Sequence, residues 1–163
     1  MIFPRTRSKP RREGFTIVEL VIVVGIISTL SAVAIPSYFG QLCRAETSEV
    51  EATIGSLKAI IASYIDETGS FPTTWDHLTS ISAIMTNNGQ ASGKLSEPIT
   101  TPSRTYQISI DVPSNSNSIY NIFGEPINGC ENIVIKACLD VSTGASDQRR
   151  GDRNNPAITP ICT

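Results

Sequence analysis

Residues 14–36 read GFTIVELVIVVGIISTLSAVAIP. From Phe15 to Ile35 the run is almost continuously apolar, and at about 1.5 Å per helical residue it is long enough to cross a bilayer core of roughly 30 Å. Glu19 interrupts it. A carboxylate at the centre of a membrane helix is disfavoured by about 2.5–3.5 kcal/mol, so this one calls for a partner. Immediately upstream stands the basic segment RTRSKPRRE, followed by Gly14.

Charge orients the run. Within residues 1–14, Arg5, Arg7, Lys9, Arg11 and Arg12 outweigh Glu13 to give +4, which leaves −6 for the rest of a chain of net charge −2. Basic flanks stay on the cytoplasmic side, so the N-terminus is expected inside and the remainder outside. An acidic remainder argues against nucleic acid as the main partner, and 6% aromatic residues are too few for a base-stacking platform. DNA binding therefore has no support. The 163 residues suit one domain plus one membrane-type segment.

Residues 1–14, with Pro4 and Pro10 among many charges, read as an unstructured cytoplasmic leader to be set apart from the fold. A general secretory signal would end its apolar region at a small-residue cleavage site. Here the run leads on into a helical pattern, although SAVAIP leaves cleavage near Ala34 as a rival reading. Residues 15–36 are the hydrophobic half of a long helix, and Pro36 should kink it. Residues 37–68 are its amphipathic half. Cys43, Thr47, Val50, Ile54, Leu57, Ile61 and Tyr64 recur at alternating spacings of four and three, which makes one stripe. Gly69 and Pro72 end it.

Residues 69–163 are expected to form a small head. SFPTTWDHLTSISAIMTNNG suggests a short helix capped by Thr73 or Thr74 and ended by Gly89, with Trp75, Leu78, Ile81 or Ile84, and Met85 as packing residues. Residues 87–104 read as a loop. Three strands follow at 105–112, 118–123 and 132–141, the last placing Ile133, Ile135, Ala137, Leu139 and Val141 on one face and Lys136, Cys138 and Asp140 on the other. An antiparallel sheet with one face on the helix stripe gives an α+β fold. Residues 142–163 show no periodicity and read as a polar tail.

The four cysteines, Cys43, Cys130, Cys138 and Cys162, form no CxxC pair and no zinc spacing. On the exported side of a membrane an even number reads as two disulfides. Along one strand, Cys130 and Cys138 would lie about 26 Å apart at roughly 3.3 Å per residue, too far to bond. Two connectivities remain. Cys43–Cys130 with Cys138–Cys162 is favoured, because Cys43 faces the sheet while Cys138 has outer-face parity, and it folds the tail back over the sheet's exposed side. The alternative is Cys43–Cys138 with Cys130–Cys162.

No catalytic residue, metal site or cofactor site emerges, and an enzyme is not expected. His77, the single histidine, stands beside Asp76 without a nucleophile or a second ligand, and reads as a surface or packing residue. The run Arg149-Arg150-Gly151-Asp152-Arg153 reads either as a contact patch for DNA or a surface, or as an exposed polar tail.

The residues G-F-T-I-V-E-L, the apolar run and A-I-P-S-Y resemble the N-terminus of type IV pilins and pilin-like proteins, with Gly14, Phe15, Glu19 and Pro36 at the positions that carry the likeness. It extends more loosely to about residue 78. The resemblance implies a pilin fold, a long helical spine on an antiparallel head with a disulfide-bonded C-terminal region. It implies a prepilin inserted in the inner membrane with its N-terminus cytoplasmic. Prepilin peptidase would cut between Gly14 and Phe15 and methylate the new amine of Phe15. An inner-membrane assembly platform would then draw the subunit out of the lipid into a surface filament of pilin subunits, serving motility, adhesion or DNA uptake. Glu19 would accept the N-terminal ammonium of a neighbour or its own, and the helix would loosen before Pro36. A pseudopilin of a type II secretion system and a plain membrane-anchored extracytoplasmic domain are the alternatives.

Overall fold

The computed structural model describes residues 14–112, 118–128, 133–152 and 154–162. Its elements are α1 (Ile17–Thr68), α2 (Trp75–Ile81), β1 (Met85–Thr86), β2 (Gly89–Gln90), β3 (Ile99–Thr100), β4 (Tyr106–Asp111), β5 (Ile119–Pro126), β6 (Ile135–Asp140) and β7 (Ser146–Arg150). By its contacts the chain divides into two compact units, Met1–Gly40 and Gln41–Thr163.

The 52-residue α1 is the expected spine. The helix assignment runs on through Pro36, where the sequence predicts a kink. Proline removes a single N–H from the ladder, which leaves the turns on either side their own bonds. The helix ends as expected: Gly69 takes φ 67 and its N–H donates to Ile65 O at 2.8 Å, a closing bond that the left-handed glycine permits.

In the second unit the stripe is buried as its spacing requires. Val50, Ile54, Leu57 and Ile61 are essentially inaccessible, and Thr47 and Tyr64 nearly so. Buried Thr47 satisfies its hydroxyl on Cys43 O and Arg44 O, at 3.0 Å each. The stripe meets one face of a five-stranded antiparallel sheet of order β3-β4-β5-β6-β7. Register pairs Ile108 with Gly124 and Gly124 with Ile135, then Ile110 with Ile122 and Ile122 with Ala137. These rows form the inner face. Helix and sheet pack tightly at Gly124, where an added Cβ would lie 2.7 Å from Val50 Cγ1 and 3.3 Å from Ile54 Cδ1. Glycine is used here for the absence of a side chain.

Several expectations change. The short helix begins after Thr74, whose Oγ1 accepts from His77 N–H at 3.3 Å, but it ends at Ile81 with Ser82 as cap. Gly89 belongs instead to the β1–β2 hairpin, at φ 113. Ile84 is buried in the core while Met85 is exposed. The segment 87–104 contains β2 and the edge strand β3, and β5 runs on to Pro126. The tail contains β7, paired with β6 from Ile135↔Arg150 to Leu139↔Ser146. That strand escapes a search for alternation because its inner face is polar. Ser146 accepts from Lys58 Nζ at 3.0 Å and Arg150 lies 3.5 Å from Glu51, so the flank of α1 supplies partners for these exposed side chains.

Beyond β7 the chain folds back over the outer face of the sheet. Cys138 bonds Cys162, which confirms the outer-face parity and excludes Cys43–Cys138. Cys43 is itself disulfide-bonded, and Cys130, the partner favoured for it, lies outside the described residues. Asp147 adds a second tie, accepting from Ile161 N–H at 3.1 Å and from Arg149 Nε at 2.9 Å. The Ile161 N–H, then the Arg149 guanidinium, hold its carboxyl below the ordinary aspartate range.

Candidate processing and assembly site

The stretch that the sequence singles out lies in the first unit. Gly14 and Phe15 are exposed, and a Cβ on Gly14 would meet nothing within 4 Å. No packing demand explains a glycine there. From Phe15 to Leu42 the large apolar side chains are exposed, Phe15 to 83%, and none of the most apolar window of α1 is buried. Burying a Val, Leu or Ile side chain gains about 1.5–3 kcal/mol, so this surface is built for a lipid or protein environment.

Glu19 is held locally. Its Oε2 accepts from Thr16 N–H at 2.9 Å and from Thr16 Oγ1 at 2.8 Å, while Glu19 N–H donates back to Thr16 Oγ1 at 3.2 Å. Thr16 O also accepts from Leu20 N–H at 3.2 Å. This is a reciprocal capping box, with threonine at the N-cap and glutamate three residues on. It satisfies two donors that the first turn would otherwise leave open. Thr16 went unremarked in the sequence although T-I-V-E carries the signature. Among the described residues only Oε2 is engaged, which leaves Oε1 as an acceptor for another group.

The other singled-out residues are structural. His77 stacks on Tyr64, with ring centroids 5.4 Å apart and planes 6° apart, and its Nδ1 accepts from Thr73 N–H at 3.3 Å. It fastens α2 to α1. Of the arginine-rich run, Arg149 pairs with Asp147 and Arg150 with Glu51, while Arg153 lies outside the described residues. Gly151 is buried, and a Cβ there would strike Ala157 N at 2.8 Å. Asp152 is turned into its own loop, accepting from the backbone N–H groups of Asn154 and Asn155 at 2.8 Å each. No cluster of metal ligands occurs among the described residues.

Comparison with known proteins bears on the same stretch. The family profile of the prokaryotic N-terminal methylation motif matches residues 9–35. Similar proteins include the fimbrial protein EcpC of Eikenella corrodens, 36% identical over 64 residues, which cover 39% of this chain and 42% of that one. The type IV major pilin protein PilA of Myxococcus xanthus is 39% identical over 62 residues, 38% of this chain and 28% of its own. The type IV major fimbrial protein FimA of Dichelobacter nodosus is 42% identical over 53 residues, 32% of this chain and 34% of its own. The chain thus spans less than half the length of each of these relatives. No solved structure matches. The likeness thus falls on the methylation motif at the head of the 52-residue helix, and over about the first two fifths of the chain this protein is similar to type IV pilins and fimbrial proteins.

Proposed function

We propose that the protein is a structural subunit of a type IV pilus, a building block rather than a catalyst. It enters the inner membrane as a prepilin with its N-terminus cytoplasmic. Prepilin peptidase cleaves between Gly14 and Phe15 and methylates the new amine of Phe15. The assembly platform then moves the subunit from lipid into a filament, where the exposed half of α1 packs against its counterparts. The observation that carries this reading is the combination of an entirely exposed apolar helix half with one carboxylate in its first turn. Gly14 supports it further, because the fold itself makes no use of that glycine.

Glu19 supplies the drive for transfer. In lipid it has Thr16; in the filament its open Oε1 accepts the methylated ammonium of a neighbouring Phe15. Removing one partner of a buried ion pair costs about 3–5 kcal/mol, so the pairing sets the register as well as the affinity. The leader blocks it until cleavage, because no free amine then exists near Glu19. The relatives' pilus and fimbrial names support a pilus over a secretion pseudopilus. Mass spectrometry of subunits from sheared surface fibres, with immunogold labelling of the fibres, is the test. A chain beginning at methylated Phe15 is expected. A subunit that keeps Met1, or label confined to the membrane, overturns the proposal.

A further inference from the structure

The apolar run of α1 is bracketed by aromatic residues. Phe15 precedes it, Tyr38 and Phe39 follow it, and residues 16–37 contain no aromatic side chain at all. Tyr38 and Phe39 are 63% and 61% exposed. Their rings meet edge to face, with centroids 6.2 Å apart and planes at 71°, so the pair forms one amphipathic knob on the helix surface. Polar sequence resumes at once with Gln41 and Arg44. Aromatic side chains with a polar handle settle at the headgroup level of a bilayer, where the ring body is dry and the hydroxyl wet.

Length makes the placement specific. From Phe15 to Tyr38 the helical rise is about 34 Å, against a hydrocarbon core of roughly 30 Å. The two aromatic positions therefore fall just outside the two edges of the core. An apolar run alone would not hold that position, since a stretch longer than the core can tilt or slide. From Glu19 to Tyr38 the rise is about 28 Å. With Tyr38 at the outer interface, Glu19 lies one turn inside the inner one, where a charged side chain is far less costly than at the bilayer centre.

We propose that Tyr38 and Phe39 are a depth anchor for the unassembled subunit. They bind the phospholipid headgroup region on the side away from the leader, and so hold Glu19 close to the cytoplasmic interface, near the amine that processing creates. This assignment rests on the membrane-inserted precursor proposed above, and goes beyond it by giving the pair a partner and the carboxylate a depth.

Full-length chain reconstituted in phosphatidylcholine vesicles provides the test, with lipids brominated either near the headgroup or near the acyl-chain end. Trp75, fully buried in the head, serves as the unquenched background. A Tyr38→Trp variant should be quenched more strongly by the shallow bromine, and an Ile26→Trp variant, near the middle of the run, by the deep one. Adding Tyr38→Ala and Phe39→Ala to the Ile26→Trp chain should reduce its deep-over-shallow preference by about twofold as the helix loses its fixed depth. Deep quenching of Trp at position 38, or an unchanged preference in the double-alanine chain, overturns the anchor while leaving the membrane precursor standing. Absence of quenching at both positions overturns the membrane precursor and the anchor together.

Discussion

Ile27 and Ile54 lie on the same helix, 57% and 0% exposed respectively. Backbone geometry does not distinguish them. What differs is what the sequence places around each. Near Ile27 almost every position is apolar, so no single face is selected, and the first unit leaves these side chains open. Near Ile54 the apolar residues recur at three and four, one face is selected, and a sheet covers it. One helix thus carries a finished interface in its second half and an unfinished one in its first. A stripe is completed within the chain, whereas an apolar run all round needs lipid or other chains.

The largest expected effect separates the halves by function. Glu19→Ala should abolish incorporation into filaments, read as loss of the subunit from the sheared surface fraction, while the thermal unfolding of the head stays unchanged. Normal filaments from this variant would remove the pairing role of Glu19. The two isoleucines sharpen the same contrast. Ile54→Ala should destabilise the head by about 2–5 kcal/mol, the range for large-to-small core changes. Ile27→Ala should leave head unfolding in detergent untouched and lower filament yield. Equal effects on head stability would break the comparison.

A smaller effect is expected at Gly124, where helix and sheet pack tightly. Gly124→Ala places a methyl against Val50 and Ile54, and overpacking of this kind costs about 1–3 kcal/mol. Val50→Ala in the same chain should recover part of the loss in a double-mutant cycle. Additive losses would mean that the contact with Val50 does not set the limit.

The mildest prediction concerns acid. Asp140, Asp147 and Asp152 all have carboxyls held below the ordinary aspartate range by hydrogen bonds: from the Ser142 hydroxyl and N–H for Asp140, from Ile161 N–H for Asp147, and from Asn154 N–H for Asp152. A depressed folded pKa means stability that is present in full above the unfolded value, about 3.9, and is lost as pH falls through the folded values. Head unfolding temperature should therefore be flat from neutrality to about pH 5 and decline below about pH 4. Asp147→Asn should lower stability at neutral pH and shallow the decline, as followed by thermal melts. A decline that begins near neutrality would place the acid sensitivity elsewhere.

Most of the spine was legible without coordinates. Alternating spacings from Cys43 to Tyr64 marked the buried stripe, Gly69 its end, and the parity of Cys138 its disulfide to the tail. Thr16 was also legible, through T-I-V-E, but a carboxylate inside an apolar run drew attention to distant partners before a local one. The hairpin at Asn87–Asn88 was hidden because a glycine after a short apolar stretch reads equally as a helix stop. β3 spans only two residues, too few to show any period.

β7 marks the real boundary. The amino acids alone determined where apolar faces lie, where turns are allowed and which end of the helix carries the charge, because these follow from side-chain chemistry and spacing along one segment. That Ser146–Arg150 form the edge strand of the sheet, that Gly124 must be bare and that the tail closes over the outer face were decided only by tertiary structure. Each depends on a partner far away in the chain: Lys58 and Glu51 for the strand, Val50 for the glycine, Cys138 and Asp147 for the tail. Local sequence fixes what a segment can bury, but an exposed polar segment takes its place in a sheet only when other elements arrive with complementary groups.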